Sequence, residues 1–420
     1  MEPQYKAFSC LPGKRKKGRP RSSESRTMNE IVRIAFVGSR GIPAKYGGPE
    51  TFMEEISQRL EQRRFEVYVT CHSHRFGKDE YNGVIRLHTP SIEGKTLTVP
   101  AVNEFLATIH LLIRCPKVKL VYYLLSYSAL AALIPKLLGK KVVMITDGIE
   151  WKRPLERLPY FSLSWKLLAV ATSWFMRLTE RLAVKLSHVV IADSRVIEAY
   201  LEERYKAKNV AYISYGAREL LNSDIAPREE HEILHGFGLS TGGYYLTVGR
   251  IVAENNIHME IEGFKRSSSN RKLVIVGNFN DKDGYNKYLL KLRDGDPKIA
   301  FLDAIYDKEV LGVLRKNCFG YIHAYQVGGT NPSLLEQMLF KKPIIAYDNS
   351  FHREVLLDGG VYFWDDEGLA SAIVMLEKGK ADLKKIAECQ TKRIEKEYNW
   401  DNIADKYASL FRKLLLAAPD

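Results

Sequence analysis

The stretch Tyr321–Tyr347, with the sequence YIHAYQVGGTNPSLLEQMLFKKPIIAY, decides how the rest of this 420-residue chain is interpreted. A short apolar run ends at His323, and a tight glycine-containing turn, Val327–Pro332, follows it. From Ser333 onwards apolar residues recur at helical spacing, and Ile344–Tyr347 has the composition of a buried strand. Strand, turn, helix and strand in this order predict a βαβ unit.

The turn of this unit is a candidate anion site. Backbone N–H groups at a helix N-terminus have no partner within the helix, and the helix dipole favours negative charge there. Glu336 lies one turn into the predicted helix, within reach of whatever carries the anion. A phosphate with a sugar hydroxyl nearby fits this arrangement. Because glycine-rich turns are common in α/β proteins, an ordinary strand-to-helix connection explains the stretch equally well.

Length and composition indicate a globular protein with two or three domains of ordinary size. Apolar residues make up 45% of the chain, and the formal net charge is +13. About half of this excess lies in a basic N-terminal tail, residues 1–28, which we expect to be disordered. The tail has residues that could contact nucleic-acid phosphates, but a solvated tail, or sequence upstream of a start at Met28, is the stronger interpretation.

The five cysteines are scattered and lack the spacing of a metal site, which predicts reduced thiols in a cytoplasmic protein. The N-terminus lacks the apolar segment of a signal peptide, and no apolar run is long enough to cross a bilayer. The stretch Leu155–Leu186 alternates apolar and basic residues. It is either a helix lying on an anionic membrane surface or a core helix with a charged outer face.

Two loops of the first half of the chain follow predicted strands, where ligands bind in doubly wound sheets. The strand Ile31–Val37 leads into a long loop that contains Gly41 and Gly47, where the backbone could approach a ligand closely. The strand Val142–Thr146 leads into Asp147–Arg153, a run of carboxylates, cations and one tryptophan. A flexible loop and a salt-bridged surface loop are the respective alternatives.

The strand and helix patterns predict an α/β protein with two Rossmann-like domains facing each other across a cleft. We place the N-terminal acceptor domain at residues 29–215 and the C-terminal donor domain at residues 216–395. The polar, turn-rich segment 216–242 is predicted to be a linker. Residues 396–420 are predicted to form a helix that packs back towards the first domain.

Four stretches, taken in order, resemble the GT-B glycosyltransferases of family 4, and most closely the branch with a DUF1972 N-terminal domain that includes rhamnosyltransferases. The resemblance runs from Met28 to the C-terminus. The four stretches are Gly38–Pro43 with Tyr46–Thr51, Asp147–Arg153, Gly249–Asn256 and Gly328–Glu336.

The resemblance implies retaining transfer of a sugar, rhamnose as a first guess, from a dTDP-, UDP- or GDP-linked nucleotide sugar, without a metal or other cofactor. The acceptor would be a glycan or a polyprenyl-diphosphate-linked sugar, used in cell-surface polysaccharide or glycoconjugate synthesis. The enzyme would be cytoplasmic, with a possible peripheral position on the inner face of the membrane.

The resemblance also suggests roles for individual residues. Arg250 would contact the diphosphate, Glu336 the ribose hydroxyls, and the backbone amides of Gly329–Asn331 the distal phosphate. The candidate catalytic residues are Arg250 and Asp147. The candidate donor-binding residues are Gly41, Gly47, Arg250, Asn278, Gly328, Gly329, Thr330, Asn331 and Glu336. The candidate acceptor-binding residues are Asp147, Glu150, Trp151, Lys152 and Arg153.

The chain departs from the family pattern at three positions. Gly328 replaces an acidic residue eight positions before Glu336, Asn255 replaces a lysine shortly after Arg250, and Asp147 lies where many members have a histidine. Two alternative functions fit the sequence less well. A nucleotide-sugar epimerase of GT-B type would need more acid and base groups in the cleft than the sequence offers, and a nucleic-acid-binding protein would depend on the basic tail.

Overall fold

The computed structural model describes residues 31–44, 47–92, 98–221, 225–280 and 283–417. The predicted tail, residues 1–28, lies outside these ranges. The described residues form two α/β domains, each built on one mainly parallel sheet. The predicted fold class is confirmed.

The strands of the first sheet are β1 (Val32–Val37), β2 (Phe65–Ser73), β3 (Gly77–Tyr81), β4 (Val84–Pro90), β5 (Leu120–Tyr123), β6 (Lys141–Thr146), β7 (Val189–Ala192) and β8 (Val210–Tyr212). Those of the second sheet are β9 (Tyr244–Val248), β10 (Lys272–Val276), β11 (Ile299–Leu302), β12 (Gly320–His323), β13 (Ile344–Tyr347) and β14 (Val361–Phe363).

Helices connect the strands. In the first domain they are α1 (Gly48–Gln62), α2 (Thr98–Arg114), α3 (Ala129–Leu137), α4 (Arg153–Glu156), α5 (Leu163–Leu186) and α6 (Arg195–Tyr205). They continue with α7 (Pro227–Gly236), α8 (Ile257–Ser267), α9 (Gly284–Arg293), α10 (Lys308–Asn317), α11 (Pro332–Met338), α12 (Ser350–Leu356), α13 (Asp366–Glu377), α14 (Leu383–Glu397) and α15 (Trp400–Leu416).

In both sheets the order of the strands reverses at the first strand of the domain, β1 or β9, which lies in the middle of its sheet. The first has the order β3-β4-β2-β1-β5-β6-β7-β8, and only the β3–β4 pair is antiparallel. The second has the order β11-β10-β9-β12-β13-β14 and is parallel throughout. In each sheet the connections after the two strands at this point, β1 and β5 or β9 and β12, therefore lead to opposite faces, which opens a crevice at the carboxyl ends of the strands. Strands such as β5 and β12 are buried along their whole length, as expected when helices cover both faces.

The helix α15 returns the chain to the first domain. The hydroxyl groups of Tyr407 and Tyr122 lie 3.2 Å apart, and the ring of Phe411 packs edge-on against Phe65. At the surface, the guanidinium of Arg63 pairs with Asp405 at 2.7 Å. Buried aromatic area supplies most of the stabilisation of such a contact, and the exposed ion pair adds little.

The prediction of a linker at 216–242 was wrong, because this segment contains α7. Pro227 lies in the first turn of the helix, where a missing N–H costs nothing, and Leu234 is buried. Glu230 of α7 pairs with Lys316 of α10. Because only one side chain of α7 is buried, its sequence shows little apolar periodicity, and the helix was not recognised from the sequence.

Candidate functional site

The two domains meet through loops at the carboxyl ends of their strands. Asp193, directly after β7, is buried and contacts the loop that leads from β12 to α11. The backbone N–H of Thr330 donates to the Asp193 carboxylate at 2.7 Å, and the Thr330 hydroxyl donates to the Asp193 carbonyl at 2.7 Å. These bonds fix the glycine-rich loop of the second domain to the first domain.

Glycines permit this close approach of backbones. A Cβ atom on Gly329 would lie 2.3 Å from both carboxylate oxygens of Asp193. On either side, a Cβ on Gly148 would lie 3.5 Å from the backbone of Gly328, and one on Gly48 would lie 3.2 Å from the ring of Pro332. The close approach of the loops therefore depends most on Gly329, because the fit at Gly48 is only tight and that at Gly148 is ordinary van der Waals contact.

The sequence analysis did not identify the contact of Asp193 with the other domain. In the structure Ser194 is the cap of α6, because its hydroxyl accepts the N–H of Ile197. The Asp193 carboxylate is thereby left to reach across the cleft. Burial and the nearby charge of Asp147 raise the pKa of Asp193 well above its usual range. Asp193 and Ser194 are both residue types that cap helices, and α6 needs only one cap. This pair was the available signal that one of the two has another partner.

Asp147, directly after β6, is the candidate base in the cleft. Burial and the charge of Glu150 raise the pKa of Asp147 to about 6, against the lowering effect of Arg153. The hydroxyl of Tyr215 donates to its carboxylate at 3.3 Å. Glu150 in turn pairs with Arg153 at 2.7 Å. The structure thus brings Asp147, Glu150 and Arg153 together at the mouth of the cleft.

Trp151 is half-buried and packs against other residues of the first domain. The guanidinium of Arg177 lies 3.8 Å from the centre of its ring, and its indole N–H donates to the Tyr200 hydroxyl at 2.9 Å. Its neighbour Lys152 is exposed. Trp151 therefore anchors the loop to α5 and α6, a role that the order of residues in the stretch did not indicate.

A buried ion pair that sequence reasoning missed joins the domains beside this loop. Both guanidinium nitrogens of Arg157 that face Glu254 donate to its carboxylate, at 2.9 and 2.5 Å. The Glu254 side chain is fully buried, whereas the Arg157 side chain is 35% exposed. Burial alone would raise the pKa of Glu254, but the hydrogen bonds and charge of Arg157 lower it below its usual value.

Arg250 lies at the end of β9 with its side chain exposed. Within the described ranges, its guanidinium has neither a hydrogen bond nor an ion pair, so it is available to an anion. Its carbonyl accepts the side-chain amide of Asn255 at 2.7 Å, which fixes the loop. The preceding Gly249 is indispensable, since a Cβ there would lie 1.4 Å from the hydroxyl oxygen of Tyr325.

Glu336 lies on α11, where Arg315 holds its carboxylate at 3.1 Å. Arg315 is completely buried and also bonds the hydroxyl and carbonyl of Ser333. Burial raises the pKa of Glu336, and the positive charge of Arg315 opposes this rise. The Glu336 side chain is 14% exposed, so its outer face remains accessible from the cleft.

The remaining candidates have different surroundings. Gly41 packs on the first sheet, where a Cβ would lie 2.6 Å from the Cys71 sulfur and its φ of 115° favours glycine. Gly47 precedes α1 and has no such contact, since a Cβ would lie 3.9 Å from Glu50. The amide of Asn278 is exposed and donates to the Tyr306 hydroxyl at 3.1 Å.

The loop Gly328–Asn331 differs in one respect from the expected phosphate site. The sequence predicted amides free to bind a phosphate, but the Thr330 amide is already bonded to Asp193. The side chain of Asn331 accepts the Ser333 N–H at 2.9 Å and so caps α11. In this arrangement of the two domains the Thr330 amide already has an acceptor, and its role in phosphate binding stays a prediction. Among the described residues, no group of three His, Cys, Asp or Glu side chains could hold a metal ion.

Residues 31–218 match the domain of unknown function DUF1972, and residues 238–393 match the glycosyl transferases group 1 family. The chain pairs these two domains in a GT-B fold. The DUF1972 domain supplies Asp147, Arg157 and Asp193, and the group 1 domain supplies Arg250, Glu254 and Glu336. The Asp193–Thr330 and Arg157–Glu254 contacts both join these two domains.

Solved structures share this architecture at low sequence identity. Sucrose-phosphate synthase from Thermosynechococcus elongatus has a TM-score of 0.73 and 16% identity, with 92% of this chain and 100% of that chain covered. Anabaena HepE in complex with UDP and glucose has a TM-score of 0.67 and 16% identity, with 91% and 100% covered. WaaG, a glycosyltransferase involved in lipopolysaccharide biosynthesis, has a TM-score of 0.66 and 14% identity, with 90% and 99% covered. No curated protein matches the sequence.

Proposed function

We propose that this protein is a retaining glycosyltransferase that moves a sugar from a nucleotide-sugar donor to a glycan or polyprenyl-diphosphate-linked acceptor. The observation that carries the proposal is the position of Arg250 and Glu336 on the cleft side of a group 1 glycosyltransferase domain. A solvated cation with no partner among the described residues and a carboxylate one helical turn beyond a glycine-rich loop suit a diphosphate and a ribose. The binding of UDP by HepE, to which the chain is similar, supports a nucleotide donor.

The proposed reaction needs no protein nucleophile. The bond between the anomeric carbon and the diphosphate oxygen breaks, and an acceptor hydroxyl bonds to the same face of the sugar. Arg250 stabilises the negative charge that develops on the departing diphosphate. Asp147 takes the hydroxyl proton, a role suited to a carboxyl whose pKa is raised to about 6. We expect activity to rise as the pH passes about 6, and Asp147→Asn to abolish this limb of the profile.

The donor site is tested by a thermal-shift panel with dTDP, UDP, GDP and ADP. A ligand at a hundred times its dissociation constant stabilises a protein by about 2.7 kcal/mol. We expect one nucleotide to raise the melting temperature, and Arg250→Ala and Glu336→Gln to remove the response. Arg228→Ala and Glu367→Ala, at exposed positions away from the cleft, are the matched controls. A response that survives both cleft variants would contradict the proposed donor site.

Rhamnose and dTDP remain the first choice of donor, from the resemblance to the DUF1972 branch. Radiolabelled dTDP-rhamnose, UDP-glucose and GDP-mannose, offered with an extract of polyprenyl-diphosphate-linked glycans, would distinguish the donors. Incorporation from dTDP-rhamnose alone supports rhamnosyl transfer in polysaccharide or glycoconjugate synthesis. Incorporation from another donor alone would reject rhamnose and leave the reaction class intact.

A membrane-bound acceptor would require the enzyme to approach a bilayer, and the first domain has a suitable surface. The outer face of α5 exposes large apolar side chains at helical spacing, and α3 beside it does the same. These residues, here called the apolar face, are Leu130, Leu133, Leu137, Leu163, Trp165, Leu167, Val170, Trp174 and Leu178. Trp165 and Trp174 are 58% and 70% exposed, which is unusual unless a partner covers them.

We therefore propose that the protein attaches peripherally to the cytoplasmic face of a membrane through the apolar face. Among the described residues, no helix is long and apolar enough to span a bilayer. Replacing Leu167 and Trp174 together by serine should abolish sedimentation with lipid vesicles and leave the nucleotide-induced thermal shift unchanged. Sedimentation of this variant at the wild-type level would exclude the apolar face as the attachment site.

A further inference from the structure

An open cavity of about 870 Å³ lies at the amino ends of strands in the first sheet, whereas the cleft lies at their carboxyl ends. Lys119, Lys141 and His188 line it, and they stand at the amino ends of β5, β6 and β7, which are neighbours in the sheet. Because parallel strands end together, this edge is separated from Asp147 and Asp193 by the full length of the strands. The cavity is therefore distinct from the candidate donor and acceptor site.

The cavity is strongly basic. Five of its lining residues are lysines, and none of the described lining residues is acidic. The lysines are Lys117, Lys119, Lys136, Lys140 and Lys141. Repulsion among the lysines is reduced by their contacts within the protein, and counter-ions or a bound anion would reduce it further.

The lysines do not all have the same role. The ammonium of Lys140 donates to the carbonyls of Pro116 and Val118 at 2.7 and 2.6 Å, and so holds the turn before β5. The ammonium groups of Lys117 and Lys141 have no hydrogen bond or ion pair within the described part of the chain. These two cations are free to bind a ligand. The site thus combines a structural lysine with available ones.

The α3 part of the apolar face runs directly into this cavity, and α5 ends beside it. The helix α3 ends at Leu137, and the next residue, Leu138, lines the cavity and is 61% exposed. The helix α5 ends at Leu186, and the following Ser187 and His188 line the cavity as well. An apolar surface that ends at a ring of cations matches a bilayer, in which acyl chains lie below a layer of phosphates.

We propose that the lysine-lined cavity binds the phosphorylated headgroups of anionic lipids when the apolar face contacts the membrane. This inference rests on the proposed membrane attachment and adds a requirement for anionic lipid. The lysines also orient the molecule, because the cavity lies at one end of α3 and α5 and the loops that lead to the cleft lie at the other. The cleft is then held at a fixed height beside the bilayer, where a lipid-linked acceptor presents its sugar.

The test is sedimentation of the full chain with vesicles of phosphatidylcholine, with or without about one third phosphatidylglycerol. We expect binding to the anionic vesicles only. Removing two lysines from a contact with an anionic surface should weaken binding by about 30-fold, so Lys117→Gln with Lys141→Gln should reduce the association constant by this factor. The matched control replaces Lys384 and Lys392, exposed lysines on α14 of the other domain, by glutamine. Both double variants keep the basic N-terminal tail, so the tail cannot cause a difference between them.

Several results would overturn the inference. Equal binding by the two double variants would show that the lysines act only through net charge. If the variant with Lys117→Gln and Lys141→Gln no longer binds inorganic pyrophosphate in calorimetry but binds vesicles as the wild-type protein does, the cavity is a site for a soluble anion. A large gain in vesicle binding after truncation behind Ala417, which lines the cavity, would make the C-terminus its occupant. If the nucleotide-induced thermal shift persists in all variants, the failure concerns the lipid site and leaves the proposed transferase activity standing.

Discussion

Replacing Arg157 by methionine tests whether the ion pair with Glu254 holds the two domains together. The variant keeps most of the side-chain volume but leaves the buried carboxylate of Glu254 without its two charged donors. Removing one partner of a buried pair costs about 3–5 kcal/mol. Since the Arg157 side chain is 35% exposed and solvent screens part of its charge, we expect about 2–3 kcal/mol. At roughly 2–4 °C per kcal/mol, this lowers the melting temperature by about 5–10 °C.

The sign of the pH dependence makes the test specific. In the wild-type protein the pKa of Glu254 is lowered, so its pair stabilises the fold above the pKa of the unfolded chain and is lost as the pH falls. In the variant the buried carboxylate has lost both Arg157 donors, and burial then raises its pKa relative to the wild-type protein. Acidification then relieves the destabilisation as Glu254 takes up a proton. We expect the difference between the two melting temperatures to shrink between pH 7.5 and pH 5.

Two outcomes would refute this reasoning. A loss of less than about 1 kcal/mol at neutral pH would place the pair among ordinary surface ion pairs. A loss that does not change with pH would mean that packing, and not the unpaired charge, causes it. The control is Arg157→Met combined with Glu254→Leu, which removes both charges and should recover most of the lost stability. Differential scanning fluorimetry across the pH range measures all three proteins.

Three further predictions concern single residues. Gly249→Ala should destabilise the second domain by about 3 kcal/mol, because the new methyl group overlaps the Tyr325 hydroxyl, and an unchanged melting temperature would contradict this. Burial raises the pKa of Glu260 to about 8, so wild-type stability should fall as the pH rises towards 8, and Glu260→Gln should remove that slope in pH-dependent melts. Gly329→Ala should abolish the nucleotide-induced thermal shift, and adding Asp193→Ala should restore room for the methyl group and recover stability.

The fold was largely predictable because buried parallel strands and amphipathic helices leave strong periodic patterns. The apolar runs that predicted β1 and β6 correspond closely to strands in the structure, and both lead into cleft loops. The failures occurred where few side chains are buried. In α7 only Leu234 is buried, and β3 is exposed along most of its length, so neither produced a clear pattern.

The candidate site was predictable only within each domain. Glycine-bearing loops and charged clusters at strand ends identified Asp147, Arg250 and Glu336 from short stretches of sequence. The partners Arg157 and Asp193 were missed because each meets its counterpart more than 90 residues away along the chain. Such contacts depend on how two domains are placed, and nothing local in the sequence encodes that placement.

The neighbouring glycines Gly328 and Gly329 show this limit most clearly. In the sequence they are equivalent members of one flexible turn. In the structure a Cβ on Gly328 would meet no atom within 4 Å, whereas one on Gly329 would strike the carboxylate of Asp193. The open space at Gly328 means that no packed side chain fills this position, whereas the carboxylate beside Gly329 comes from the other domain. Residues of both domains therefore determine the conformation of the loop. Contact with Asp193 constrains Gly329 and Thr330, in addition to any constraint from a ligand.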